Sequence, residues 1–222
     1  MAQAVRLTIA DQLLETLKSR IIRGEIQAGS KFTEQDLADA FQVSRGPLRE
    51  ALRRLEGLHL VEHISHRGVR VVNLGARELL EIYEIRESLE GMAAALAARQ
   101  MTDLEIMELK SLLNQHEQDI ERSDGSDYFQ KEGDFDFHYR IIQGSKNRRL
   151  INLLCDELYH LIRMYRYRSS TTLSRPVRAL AEHRNIVTAI EERDSALAEM
   201  LMRRHISGAR RNIEQQFLYE ES

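Results

Sequence analysis

The chain is poor in the residues that build disulfide-linked or membrane-embedded folds. It has one cysteine, two prolines and no tryptophan among 222 residues. One cysteine cannot form an intrachain disulfide or a multi-cysteine metal site, which fits a reducing compartment. The longest run of small and apolar residues, 91–98, is less than half of the roughly 20 residues that a bilayer-spanning helix needs. The first fifteen residues include acidic side chains, so a secretory signal is not expected. We therefore expect a soluble, cytoplasmic protein with no membrane partner.

Charge is nearly balanced overall but unevenly divided along the chain. Lys plus Arg number 32 and Asp plus Glu 35, and the net charge of −3 excludes a strongly basic protein that coats nucleic acid everywhere. Residues 1–75 hold eleven basic and nine acidic side chains, whereas the remainder holds 21 and 26. A slightly basic head and a larger acidic body predict two domains with separate tasks, 1–75 and 76–222.

Helical periodicity dominates the chain, with one exception. Apolar residues recur at three- and four-residue spacing almost everywhere. Residues 60–72, by contrast, are short, β-branched and alternating, which predicts a β-hairpin with its bend at 65–68. The body is expected to form about six helices, near 76–98, 102–122, 127–144, 147–166, 177–192 and 194–217. The predicted fold is mostly α: an N-terminal winged helix-turn-helix with a small β-hairpin, followed by an all-α six-helix bundle.

The third of the three helices expected before the hairpin is the most informative. Ser44 is placed to cap it, and Arg45, Arg49 and Arg53 follow at four-residue spacing beside a buried leucine stripe. A short helix, a tight turn and a second helix with arginines near its start are typical of a helix-turn-helix, in which arginine pairs with guanine in the major groove. The alternative is a solvated surface helix whose arginines pair with neighbouring glutamates.

The hairpin favours the DNA-binding interpretation. A winged helix-turn-helix adds a two-stranded wing, and Arg67 and Gly68 at the predicted tip could approach a minor groove or the phosphate backbone. The region resembles the winged-helix head of the GntR family of bacterial transcription regulators. The matching motifs are Glu34-x-x-Leu37-Ala38, Val43-Ser44-Arg45, Leu48-Arg49-Glu50-Ala51-Leu52, Leu55, Gly57-Leu58 and Arg67-Gly68. This resemblance implies base contacts from Arg45 and Arg49 and wing contacts near Gly68; some relatives have an arginine where this chain has Gln35.

Five histidines in the body are sorted by their position on the predicted helices. At 100° per residue, His138, His183 and His205 lie on apolar faces, whereas His116 and His160 are expected to face solvent. Buried imidazoles must be satisfied, either by hydrogen bonds to one another or by a shared metal ion.

Asp134 strengthens the metal interpretation. Asp134-x-x-x-His138 places a carboxylate and an imidazole on one helical face, an arrangement that metal sites use. With His183 and His205, this donor set suits Zn, Ni, Fe or Mn and does not select among them.

The body resembles the FCD ligand-binding domain of the FadR subfamily. The resemblance rests on Arg86-x-x-x-Glu90, Asp134-x-x-x-His138, His183 and His205. It implies a divalent metal, with zinc as the first candidate, held by Asp134 and the three histidines. It also implies a small organic acid whose carboxylate completes the metal shell, with Arg86 as the arginine beside it. Tyr83, one turn earlier, is a second pocket candidate. The alternatives are an ion pair of Arg86 with Glu90 and simple packing for Tyr83.

Together these features predict a transcription regulator, a repressor whose body forms a homodimer and places two heads on a pseudo-palindromic DNA operator. A small carboxylate metabolite would modulate operator binding, since two ligands of one protein are coupled reciprocally. One alternative is a metal-dependent enzyme acting on a small organic acid, although the sequence has no convincing general base, nucleophile motif or phosphate loop. Another is a regulator with a purely structural metal and no effector.

Overall fold

The computed structural model describes residues 7–65, 67–122, 132–133, 136–170 and 175–220. Within them the chain divides into two compact units, Met1–Asn73 with Glu157–Arg168, and Leu74–Asp156 with Ser169–Ser222. Helices dominate both units and a small antiparallel sheet lies near the N-terminus, so the predicted fold class is confirmed. No helix in the described ranges is long and apolar enough to cross a membrane.

The N-terminal part of the first unit is a three-helix head with a sheet. Its elements are α1 (Ile9–Ile22), β1 (Lys31–Phe32), α2 (Glu34–Phe41), α3 (Arg45–Gly57), β2 (Val61–Ile64) and β3 (Gly68–Val71). Capping boxes start α1 and α2, with Thr8 and Thr33 as the N-caps. Ser44 occupies the N-cap position of α3, but its side chain makes no capping hydrogen bond, unlike the expectation.

The apolar stripe of α3 holds the head together. Leu48, Ala51, Leu52 and Leu55 are at most 1% exposed and pack against α1, so one face of α3 is fully committed to the core. The Arg54 guanidinium also binds the Asp11 carboxylate at 2.7 Å and lowers the pKa of Asp11 to about 2. The opposite face of α3 is therefore left for other partners.

The predicted hairpin is confirmed and extended by a third strand. β2 and β3 pair antiparallel, with Val61 opposite Val71 and Ile64 opposite Gly68. β1 pairs with the other edge of β3, giving the order β1-β3-β2. Two residues are too few for an alternating pattern, which explains why β1 is not visible in the sequence.

Gly68, at the start of β3, is required by the backbone. Its φ is +98°, and a Cβ there would collide with the carbonyl oxygen of Phe32 and lie 2.9 Å from Thr33 Cα. The glycine of the wing motif therefore lets β1 approach β3 closely, whatever else it contacts.

The second unit is helical. Its elements are α4 (Ala76–Gln100), α5 (Asp103–Arg122), α6 (Phe137–Gly144), α7 (Arg148–Ile151), a π-helical segment (Asn152–Glu157), α8 (Tyr159–Ser170), α9 (Arg175–Glu191) and α10 (Ser195–Glu220), with α8 falling mostly in the first unit. The helix predicted over 147–166 is thus divided into three. Of the helix predicted over 127–144, the described part begins at Phe137, because Asp136 adopts an extended backbone and caps it.

Small residues let the long helices α4 and α10 pack closely. The alanines of α4 at 93, 94, 97 and 98 are fully buried. A Cβ on Gly91 would lie 2.6 Å from the Arg203 side chain of α10. α9 packs on α4, α5 and α10, and α6 packs on α4. One face each of α4, α6, α9 and α10 therefore borders a shared interior.

The geometry at Gly68 generates a stability prediction. Gly68→Ala should lower the free energy of unfolding by more than about 2 kcal/mol, since strained φ and a backbone collision both oppose it. Gly57→Ala is the matched control in the same unit, because a Cβ there meets nothing within 4 Å and φ is ordinary. That variant should be neutral or gain up to about 1 kcal/mol. Urea denaturation of both variants checks this, and equal stabilities would contradict the assigned role.

Candidate functional site

The arginine stripe of α3 is solvent-exposed and loosely paired. Arg45, Arg49 and Arg53 all lie on the exposed face, with Ser44 exposed at the helix start. Arg49 Nε donates to Glu34 of α2 at 2.7 Å, and Arg53 pairs with Glu50 at 2.9 Å. Exposed ion pairs of this kind contribute at most about 1 kcal/mol and exchange readily for another anion.

The acceptors for the first two arginines come from α2. Arg45 donates to the Gln35 side-chain oxygen, one residue after the Glu34 that accepts from Arg49. Gln35 therefore orients Arg45 in this chain. The turn between α2 and α3 brings both partners within reach, with Gln42 in the left-handed conformation at φ 53°.

The wing carries an exposed cation at its bend. Arg67 is exposed between β2 and β3, and Gly68 follows it. Arg70, further along β3, is held by Glu62 of β2 at 2.5 Å. Arg67 is thus the arginine at the tip of the wing.

Three histidines of the body meet in the interior of the second unit. His138 of α6, His183 of α9 and His205 of α10 are 5%, 1% and 5% exposed. One ligand nitrogen of each lies within 4.8 Å of the other two. His183 Nε2 and His205 Nε2 are 3.2 Å apart. The predicted convergence of these side chains is thus present in the structure.

Asp134, the fourth ligand expected from the sequence, lies outside the described residues. Asp136, two positions later, is fully buried and accepts the backbone N–H of His138 at 2.9 Å. This bond fixes the start of α6 and so the position of the His138 ring.

The surroundings of the cluster include groups that the sequence analysis did not assign. Glu90 of α4 lies 2.6 Å from His138 Nδ1, and Glu182 of α9 lies 2.7 Å from His205 Nδ1. Phe137 stacks on His183 with ring centres 3.9 Å apart. Glu182 could have been found from Arg178-x-x-x-Glu182, which repeats the spacing of Arg86-x-x-x-Glu90.

Arg86 and Glu90 form a buried ion pair at the edge of the cluster. Their side chains are 1% and 2% exposed, and Arg86 Nε donates to Glu90 at 2.7 Å. Burial raises the pKa of Glu90, but the positive charge of Arg86 and the hydrogen bonds from His138 and Arg86 outweigh it and hold that pKa below its usual range. Glu90 is therefore an anion inside the unit.

Two buried hydrogen-bond donors at this ion pair have no acceptor among the described residues. Arg86 Nη1 and Tyr83 Oη have no hydrogen-bond partner among the described residues. The Arg86 guanidinium lies 4.5 Å from the centre of the Tyr83 ring. Because buried polar groups are nearly always satisfied, two adjacent donors without acceptors are suited to an anionic ligand or ordered water. The ion pair and the pocket role expected for Arg86 are thus compatible.

Two of the sequence predictions for histidines are wrong. His116 and His160 are 6% and 8% exposed, not solvent-facing. His116 continues the buried stripe of α5, although its immediate neighbours in the sequence are polar. The α8 residues from 159 to 165 are all buried, so α8 offers His160 no exposed face there.

Cys155 adds no thiolate to the site. It is buried in the π-helical segment. Burial, followed by the charge of Asp156, raises the pKa of its thiol to about 12. The sulfur is therefore protonated at neutral pH, and the donors of the cluster are imidazoles and carboxylates.

The buried ion pair can be tested against an exposed pair of the same spacing on the same helix. Arg86→Met should lower the free energy of unfolding by about 3 kcal/mol or more, because Glu90 stays buried without its main countercharge. Arg77→Met removes the partner of Glu81, whose pair is 3.0 Å long with side chains 92% and 57% exposed. It should have no measurable effect. Chemical denaturation compares the two, and equal losses would show that Glu90 does not depend on Arg86.

Comparisons with known proteins agree with this architecture. Residues 9–71 match the family described as bacterial regulatory proteins, gntR family, and residues 81–208 match the FCD domain. The chain is 30% identical to an uncharacterized HTH-type transcriptional regulator, YdhC, of Bacillus subtilis (strain 168), over 88% of this chain and 87% of that protein. It is 30% identical to the HTH-type transcriptional repressor GlaR of Escherichia coli (strain K12), over 86% of this chain and 89% of that one.

A solved structure shares the fold. The structure of McbR/YncC from Escherichia coli superposes with a TM-score of 0.72 at 21% identity, covering 96% of this chain and all of that one. The family matches and the relatives are transcription regulators and not enzymes. The chain is a member of the GntR family of bacterial transcription regulators, with a helix-turn-helix head and an FCD domain.

Proposed function

We propose that this chain is a repressor whose binding to a DNA operator is modulated by a small carboxylate held beside a metal ion. The observation that carries the proposal is the pairing of two features in one chain: an exposed arginine stripe on α3, and a buried cluster of three imidazoles with unsatisfied donors beside it. A bacterial regulator of this kind works in the cytoplasm, where the chromosome is. The relative GlaR is named a repressor.

Residues 1–75 would form the DNA-binding domain and residues 76–222 the ligand-binding and dimerisation domain. In the head, the residues assigned to DNA are Ser44, Arg45, Arg49, Arg53, Arg67 and Gly68. The exposure of the stripe supports this, since a helix whose other face is fully buried can enter the major groove without unfolding the head. Base edges would replace Gln35 and Glu34 as acceptors for Arg45 and Arg49, and the Arg67 guanidinium would contact the minor groove or a phosphate.

The recognition arginines are tested on a duplex selected from random-sequence DNA by the wild-type protein. Arg45→Ala and Arg49→Ala should each weaken binding to that duplex by at least tenfold, because a bidentate arginine–guanine pair contributes about 1–3 kcal/mol. Circular dichroism should be unchanged, since both side chains are exposed. Arg77→Ala, which removes an exposed arginine outside the head, should bind as the wild type does. Unchanged affinity in both head variants would reject α3 as the recognition helix.

In the body, His138, His183 and His205 would hold a divalent metal together with Asp134. The donor set fits: two nitrogens bound to one such ion stand about 3.0–3.4 Å apart, and the Nε2 atoms of His183 and His205 are 3.2 Å apart. Imidazole and carboxylate donors suit zinc first, and also nickel, iron or manganese. When bound, the ion would supply a Lewis-acidic position for an oxygen of the ligand.

Arg86 and Tyr83 would bind the organic acid from the other side. Arg86 Nη1 and Tyr83 Oη are donors that point to no acceptor among the described residues, and a carboxylate accepts from both. Because Glu90 already neutralises most of the charge of Arg86, these donors would orient the acid and the ion would hold it. Binding would then bias the packing of α4, which carries both residues.

A homodimer would present two heads to a two-fold operator. We assign the dimer surface to α4 and α10, where Ile85, Met92 and Met200 are 47%, 47% and 40% exposed. Beside Met200 a groove is bordered by Glu87 of α4 and Arg204 of α10, among other charged residues. A second copy would occupy this surface, with Glu87 of one copy facing Arg204 of the other across a two-fold axis.

Elemental analysis and native mass spectrometry test the metal, the acid and the dimer together. Protein purified without chelator should show one divalent ion per chain, a dimer mass and, where retained, a small acid. Ile85→Glu should shift the mass to the monomer, whereas Met107→Glu, at a 63% exposed position of α5, should stay dimeric. A metal-free wild type with unchanged thermal stability after zinc addition would reject the metal site. If the metal is retained but no carboxylic acid raises the thermal stability of the protein, the ion is purely structural.

A further inference from the structure

Two Arg–Glu pairs with the same spacing reach the histidine cluster, one from α4 and the other from α9. In the first, Arg86 Nε donates to one oxygen of Glu90 at 2.7 Å, and the other oxygen lies 2.6 Å from His138 Nδ1. In the second, Arg178 Nε donates to one oxygen of Glu182 at 3.0 Å, and the other lies 2.7 Å from His205 Nδ1. In each pair, the arginine and the glutamate lie four residues apart on one helix, and the glutamate contacts a histidine of another helix.

We propose that Glu90 and Glu182 are positioning residues that fix the tautomers of His138 and His205 and aim both Nε2 atoms at the metal position. This rests on the metal site proposed above. An ionised carboxylate only accepts hydrogen bonds, so each Nδ1 must carry the proton. A neutral imidazole with a proton on Nδ1 has its free electron pair on Nε2, which is the atom available to a metal.

The geometry of the third histidine agrees with this assignment. His183 Nε2 faces His205 Nε2 at 3.2 Å, so at most one of the two nitrogens carries a proton. Because Nδ1–H of His205 donates to Glu182, a neutral His205 has no proton on Nε2, and that Nε2 can accept from His183. His205 thus presents an electron pair to the centre of the cluster before any ion arrives.

The two Arg–Glu pairs differ in burial, and this difference decides which pair can be tested by mutation. Arg86 and Glu90 are 1% and 2% exposed, whereas Arg178 and Glu182 are 71% and 25% exposed. Removing Glu90 would leave Arg86 as a buried, unpaired charge and threaten the fold. Removing Glu182 leaves an arginine already in solvent, so its variants should fold.

The test uses full-length Glu182→Ala and Glu182→Gln, with Glu191→Ala as the control on the same helix. Glu191 pairs with Lys110 at 2.8 Å and is 50% exposed. In metal-free protein, imidazole ¹⁵N spectra should show His205 with its proton on Nδ1 in the wild type, Glu182→Gln and Glu191→Ala. The amide oxygen of Gln can still accept a hydrogen bond from Nδ1–H of His205. In Glu182→Ala the ring should become a mixture of tautomers.

Zinc titration by competition with a chelating dye gives the second readout. Loss of a carboxylate behind a metal-binding histidine weakens binding by about 10–100-fold, and we expect this in Glu182→Ala, a smaller loss in Glu182→Gln and none in Glu191→Ala. Failure of the wild type to bind zinc would reject the proposed metal site, and the spectra would still judge the tautomer assignment. Wild-type spectra with the His205 proton on Nε2, or equal zinc affinity in the wild type and Glu182→Ala, would overturn the inference.

Discussion

Burial of charged and titratable side chains inside an all-helical domain is the constraint on which the body of this regulator depends. Three imidazoles, a guanidinium and a carboxylate are removed from water among α4, α6, α9 and α10. Each ion moved into such an interior costs several kcal/mol unless it is paired. The Arg86–Glu90 pair meets part of that cost, and Glu90 in turn binds His138. Tyr83 Oη and Arg86 Nη1 keep no hydrogen-bond partner among the described residues, and the three imidazoles lie within ligand distance of one another, which is the basis for proposing a cation and an anion here.

In the head, by contrast, the arginine stripe of α3 is exposed to solvent. The contacts of these arginines with partners such as Glu34 and Gln35 contribute little free energy. Such pairs keep the arginines extended over the surface of α3 and can be exchanged for base edges or phosphates. The strong constraints of the head lie elsewhere, in the leucine face of α3 and in the close approach of β1 to Gly68. The face of α3 that stabilises the head is thus distinct from the face that carries the exposed arginines.

Much of this organisation could be predicted from the sequence because it is local. The arginine stripe, the hairpin and the inward-facing His138, His183 and His205 follow from helix and strand periodicity within single elements. The errors arise where several elements meet. His116 was misassigned because its polar neighbours outweighed a stripe that spans all of α5, and β1 exists only through its pairing with β3. The Arg178-x-x-x-Glu182 spacing singles out Glu182, but its contact with His205 depends on the packing of α9 against α10.

We propose that the three imidazoles share an ion, and anomalous X-ray diffraction would locate that ion directly. Crystals of protein purified without chelator would be measured on both sides of the zinc absorption edge. We expect one anomalous peak per chain, about 2.0–2.1 Å from an imidazole nitrogen of His138, His183 and His205, with Nε2 as the bonded atom of His138 and His205. A cluster without a peak in crystals soaked with zinc, its imidazoles hydrogen-bonded only to one another and to the glutamates, would contradict it.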